Sequence, residues 1–167
     1  MYQEKHFYII IYQLKDFVLY NSMTLINDYF KKYSHYSSIY GKNTILLMQV
    51  GAFYEVYGLL NKKTDTITGS NIKEFTRLCE LSISDKKICV GQLNVVMAGF
   101  RDYSLEKYIR KLQSFNYTSV VYSQDEAAAG TTRSLTGIYS PGTFFSNDET
   151  TLTNNTLCIW FHKYKHN

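Results

Sequence analysis

The chain has 167 residues, 45% hydrophobic and 19% charged, a balance that excludes a disordered polymer and predicts one globular domain. A formal charge of +4 permits a nucleic-acid partner without demanding one, because Asp and Glu are interspersed throughout. Cys79, Cys89 and Cys158 are odd in number and form no Cys-x-x-Cys pair, which argues against a zinc site and fits a reducing, intracellular compartment.

Residues 1 to 20 open with the apolar run Phe7 to Tyr12 between Lys5 and Lys15. The run is far shorter than the roughly 18 apolar residues of a membrane span, and no small-residue cleavage site follows it, so neither insertion nor secretion is predicted. The segment is compatible with a strand, a helical turn or an added N-terminal arm. From Asn21 the pattern turns helical: Leu25, Ile26, Tyr29, Phe30 and Tyr33 make one stripe, Asn21, Ser22 or Thr24 can cap its start, and Gly41 supplies a stop. Thr44 to Val50 and Phe53 to Gly58 read as strands joined at Gly51-Ala52. Asn61 to Ser70 reads as an exposed loop. Asn71 and Glu74 have the spacing of a capping box, opening a helix with Ile72, Phe75, Leu78 and Cys79 on one side.

Ile83 to Gly99 is predicted to be a ribbon turning near Asp85-Lys86-Lys87. Asp102 or Ser104 caps the next helix, with Leu105, Tyr108, Ile109, Leu112 and Phe115 inward and Lys107, Arg110 and Lys111 on the opposite face. Thr118 to Gln124 and Leu135 to Ser140 complete the strands, with a small-residue loop from Asp125 to Thr132 between them and Pro141 in a Pro-Gly turn. Phe144 to Asn155 reads as a polar linker and Thr156 to Phe161 as one more strand. The fold class predicted is α/β, a mixed central sheet flanked by helices.

The most informative stretch is Gly51-Ala52-Phe53-Tyr54-Glu55-Val56-Tyr57-Gly58, directly after the apolar run Ile45 to Val50. Phe53 and Glu55 are two residues apart and therefore share one face of a strand. From spacing alone Phe53 reads either as an exposed wedge or as one more core aromatic; Tyr54 and Tyr57 are read as packing on the other face. The Gly-x-Phe-Tyr-Glu block resembles the Phe-x-Glu signature of the mismatch-recognition domain at the N-terminus of MutS proteins. Three further segments keep the family's order. Val96 to Phe100 resembles its Met-Ala-Gly block, Ser119 to Gln124 the strand ending in a Cys-Glu-Gln-like tripeptide, and Arg133 to Thr143 the Arg-rich strand closing on Thr-Pro-Gly-Thr. Arg101-Asp102-Tyr103 stands where the family commonly has Pro-Tyr-His, and Tyr122-Ser123 where it has Cys-Glu, departures that fit a divergent branch such as the MutS forms of large DNA viruses.

The resemblance implies a domain over residues 21 to 143, an N-terminal extension over 1 to 20, and a linker with the first strand of a truncated connector domain over 144 to 167. It implies Phe53 as a ring inserted between base steps and Glu55 as the hydrogen-bonding partner of the stacked base, either accepting from a thymine imino N–H or, when protonated, donating to a purine N7. Insertion costs a few kcal/mol of unstacking, less at a base that is already mispaired, so discrimination comes from deformability. By the same analogy Val50, Ala52 and Met97 flank the wedge. Lys86 and Lys87 lie near the recognition edge, as phosphate contacts or as solvated surface; the same alternatives apply to Lys107, Arg110 and Lys111.

No catalytic constellation is evident: a Ser-His-Asp arrangement has no local support, and Gly41-Lys42-Asn43 lacks the first glycine and the hydroxyl of a phosphate loop. The expectation is a non-enzymatic chain without its own cofactor, ATP and Mg being held by full-length family members. The expected partners are duplex DNA with mismatches or small loops and the remaining MutS domains, in cis or on a separate chain. The chain is expected to be a truncated or split gene product or a fragment of a longer protein. Alternatives are a duplex-binding module without mismatch preference and a protein-interaction module.

Overall fold

The computed structural model describes residues 22–125, 132–141, 143 and 159–160. A helix, α1, covers 22–40. The strands are β1 (Thr44–Val50), β2 (Phe53–Asn61), β3 (Thr66–Thr68), β4 (Ser84–Val90), β5 (Leu93–Arg101), β6 (Thr118–Gln124) and β7 (Arg133–Tyr139), with helices α2 (Ile72–Cys79) and α3 (Leu105–Ser114) between them. They form one sheet in the order β4-β5-β2-β1-β6-β7, with β3 beside the far end of β2. β1 and β6 run parallel while the remaining pairs are antiparallel. The mixed sheet with flanking helices is the architecture the sequence predicts.

The helices cover opposite faces. On one, Tyr29 of α1 packs edge-on against Tyr57 at 4.9 Å between ring centres, and its hydroxyl donates to the Leu46 carbonyl at 3.2 Å. On the other, Phe100 of β5 meets Tyr54 of β2, Phe75 of α2 and Tyr108 of α3, the last stacked at 4.1 Å. Ile45 to Met48 are wholly buried, as expected of a central strand with a parallel neighbour. Each such side chain contributes about 1.5–3 kcal/mol of burial free energy.

Several sequence expectations need correction. The β4–β5 ribbon turns at Gly91-Gln92, with Val90 opposite Leu93. Lys86 and Lys87 instead sit in a bulge within β4, where the register shifts between Asp85 and Cys89 and Lys87 takes a φ of 59°. Asn61 to Ser70 is not all loop, because Thr66–Thr68 pairs with Leu59 to Asn61. Asn71 makes no side-chain cap. Its amide donates to the carbonyls of Lys42 and, at 3.2 Å, Thr44, tying α2 to the start of β1, while Glu74 is taken up by Arg77 at 2.7 Å. Neither Asp102 nor Ser104 caps α3 through its side chain; a single 3-10 turn over Asp102–Ser104 leads in instead. Phe115 is 50% exposed, because α3 ends at Ser114 and the helical period no longer carries it inward. The N-terminal segment and most of 144–167 lie outside the described residues; Ile159 and Trp160 are exposed and in no strand.

Among the described residues no helix is long and apolar enough to cross a membrane. Cys79 is buried under α2 and Cys89 is exposed on β4, and burial pushes the Cys79 thiol up to about 12. Alkylation of the native chain at mildly alkaline pH, read by peptide mapping, is therefore expected to modify Cys89 and spare Cys79. Equal labelling rates would mean that α2 does not pack as described.

Candidate nucleic-acid interface

The β1–β2 hairpin closes with Val50 opposite Phe53, leaving Gly51 and Ala52 as its two-residue loop. Gly51 has a φ of 58°, which a two-residue turn with glycine first requires and which other residues rarely adopt. Side chains hold this loop from the β6–β7 side. Gln124 accepts from the Gly51 N–H at 2.7 Å. Gln49 accepts from the Gln124 N–H at 2.9 Å and donates to the Gly51 carbonyl at 3.2 Å. The Arg133 guanidinium donates to the Gln49 carbonyl at 2.5 Å, and burial pulls that guanidinium below its ordinary value. On the β5 side the Asp102 N–H donates to the Ala52 carbonyl at 3.0 Å. Reading the sequence for chemistry missed Gln49, Gln124 and Arg133 as a support. Nothing in their spacing, 75 and 84 residues apart, announces it.

Phe53 stands at the mouth of this hairpin and is 40% exposed. Arg101, its cross-strand neighbour, lies 5.4 Å from the ring centre, close enough for a cation–π contact. Tyr103, two residues on, is also exposed. The Arg101-Asp102-Tyr103 departure from the family pattern thus places a cation beside the Phe53 ring.

Glu55 shares the Phe53 face but not its exposure: it is only 5% exposed. Its Oε2 accepts from the Tyr57 hydroxyl and pairs with the Lys86 ammonium at 2.8 Å. Lys86 Nζ also lies 5.6 Å from the centre of the Tyr57 ring. Tyr57 therefore shares the Glu55 face, as a period of two requires of residues 53, 55 and 57, and the expectation that it packs on the other face is corrected. Burial, then the neighbouring Glu55 charge, pushes the Tyr57 phenol well above its usual range, so it stays protonated and donates. Room for Glu55 comes from Gly99 opposite it. A Cβ there would lie 2.6 Å from the Tyr54 carbonyl oxygen and 3.4 Å from Glu55 Cγ. The glycine of the Met-Ala-Gly block is the cross-strand partner that the carboxylate needs.

The other sequence candidates divide by face. Val50 pairs with Phe53 and Met97 with Tyr57, so both lie on the wedge face; Ala52 is exposed at the hairpin tip. Lys86 reaches this face through Glu55, whereas Lys87 is exposed on the bulge and donates its backbone N–H to Asp85 at 2.7 Å. The α3 trio does not join them. α3 covers the opposite side of the sheet, Arg110 pairs with Glu106 and Lys111 with Glu80 at 2.6 Å, and Lys107 lies beside Tyr108.

An α/β domain whose central hairpin presents an aromatic ring beside a paired carboxylate is thus defined by geometry alone. The family model described as MutS domain I matches residues 29–148, the greater part of the chain, and the chain belongs to that family. It is similar to a putative DNA mismatch repair protein, MutS homologue L359 of Acanthamoeba polyphaga mimivirus, at 25% identity over 143 residues. That match covers 85% of this chain and 12% of the relative, so the chain spans about an eighth of the relative's length.

The support network carries a prediction of its own. Gln124→Ala removes the acceptor of the Gly51 N–H, a contribution of about 1 kcal/mol. Amide hydrogen exchange should speed up at Gly51 by about fivefold, with β1 and β6 amides unchanged. Equal protection at Gly51 in both proteins would remove Gln124 from the support.

Proposed function

We propose that this chain binds duplex DNA and senses mismatched or damaged base pairs, as the sensing module of a MutS-like mismatch repair protein. The observation that carries the reading is Phe53: a large apolar ring left exposed at a braced hairpin, at the position of the Phe-x-Glu signature in a chain of the MutS domain I family. A ring held this way can enter a base step, and the energy of opening that step is lower where the pair is already distorted. Arg101 beside the ring and Lys87 on the β4 bulge offer charge for backbone phosphates. Glu55, on the same strand face, is the carboxylate that would meet the edge of the base stacked on Phe53. Val50, Ala52 and Met97 would line the groove around it. Other MutS domains, in cis or on a separate chain, would supply what an ATP-driven repair cycle needs, including the ATP and Mg sites.

The test is a titration of matched duplex and of the same duplex carrying one G·T pair, followed by anisotropy. The wild type should prefer the mismatch. Phe53→Ala should bring the mismatch-to-matched ratio to about one while leaving weak, salt-dependent duplex binding. A wild-type chain without preference, or a Phe53→Ala chain that keeps it, would overturn the reading.

A further inference from the structure

The Glu55–Lys86 pair presents a conflict. A carboxylate that is to meet a base must turn toward the groove, yet here it is 5% exposed and engaged by an ammonium at 2.8 Å and by the Tyr57 hydroxyl. Lys86 is the more exposed partner, its side chain 25% accessible against 7% for Glu55. It projects from a bulge, a local irregularity that aims one side chain away from the regular ladder. Phe53 lies two residues from Glu55 on the same face, about 7 Å along the strand. A duplex seated on Phe53 therefore brings phosphates within the sweep of a lysine side chain at this position.

We propose that Lys86 is a specificity-determining residue for which Glu55 and a DNA phosphate compete. In the free chain it holds Glu55 back against the sheet; when duplex binds, its ammonium transfers to a phosphate and Glu55 is released toward the base. This inference rests on the reading of Phe53 as the point of contact with duplex DNA. The transfer does not strand a buried anion. The Tyr57 hydroxyl holds Oε2 in the free chain, and a carboxylate turned toward the groove is no longer buried. Losing one partner of a buried pair is costly when the remaining charge stays buried, and here it leaves the sheet as the ammonium does. The exchange couples the two halves of recognition. Glu55 becomes available only where a phosphate has taken Lys86, so the base is questioned after the backbone has docked.

The experiment is a double-mutant cycle on the full chain with matched duplex, followed by anisotropy between about 50 and 200 mM salt. Lys86→Met should lower the slope of log affinity against log salt by about 0.9, the share of one phosphate contact, and Lys86→Arg should restore it. Glu55→Gln frees Lys86 and should raise matched-duplex affinity severalfold in the wild-type background. In the Lys86→Met background the same substitution should change affinity by less than about twofold. An equal gain in both backgrounds, or a salt slope untouched by Lys86→Met, overturns the proposal. A packing role alone would lower the unfolding temperature without moving the slope. Should Lys86→Met fail to fold, NMR of the wild type decides: the Lys86 ammonium and Glu55 carboxyl resonances must both shift on adding duplex, and an unmoved Glu55 signal refutes the exchange. A mismatch preference abolished by Phe53→Ala together with an additive cycle defeats this inference and leaves the functional reading standing. A chain that binds no duplex defeats both.

Discussion

The edge that carries Phe53 and Glu55 depends on one constraint, the alternation of side chains along a strand that cannot turn over. β2 is paired with β1 on one side and β5 on the other. Its Tyr54 and Val56 are buried on the face covered by α2 and α3. A one-residue slip would bring those side chains out and put Phe53 into the core, so the register is strongly specified. The remaining face is then obliged to carry Tyr57, Glu55 and Phe53 in line. Exposure rises along it from 0% through 5% to 40%, because Tyr29 of α1 covers Tyr57 and none of the described contacts of α1 reaches Phe53. One strand face thus passes from core to surface within five residues, and the carboxylate sits at the crossing.

That position sets the local electrostatics. A carboxylate at the edge of a core needs compensation, and Glu55 receives it from a phenol held protonated by burial and from the Lys86 ammonium, which reaches it from β4 across the intervening β5. The bulge in β4 is what makes the second contact possible. The formal positive charge is not gathered on α3, where two of the three cations of interest are matched by Glu106 and Glu80. Exposed pairs of this kind contribute little to stability, but they neutralise the surface they cover. Among the described residues, Arg101 lies over the Phe53 ring, Lys86 on the Glu55 carboxylate, Lys87 on the bulge and Arg133 on the Gln49 carbonyl.

Much of this was legible in the chain itself. The stripe Leu25 to Tyr33, the apolar run into Gly51 and the Ile72 to Cys79 pattern each announced an element, because burial of one face imposes its own period. The errors fell where local rules compete with distant partners. Asn71 and Glu74 have capping-box spacing, yet the Asn71 amide is drawn to the Lys42 and Thr44 carbonyls at the start of β1 and Glu74 to Arg77. Asp85-Lys86-Lys87 looks like a turn because it is polar, while Gly91, with its φ of 60°, is the residue that can actually reverse the chain.

What the sequence alone determined is the sheet-and-helix architecture, the two-residue hairpin at Gly51-Ala52, and the pairing of Phe53 with Glu55 on one face. These follow from periods of 2 and 3.6 and from backbone conformations that only certain residues adopt. Tertiary structure alone decided that Phe53 is exposed while Glu55 is buried, that Lys86 is the partner of Glu55 across 31 residues, and that Gln49, Gln124 and Arg133 brace the hairpin. The physical reason is that each of these depends on which strand lies beside which. Strand order is set by the summed burial of the whole core, and no local stretch of sequence contains it.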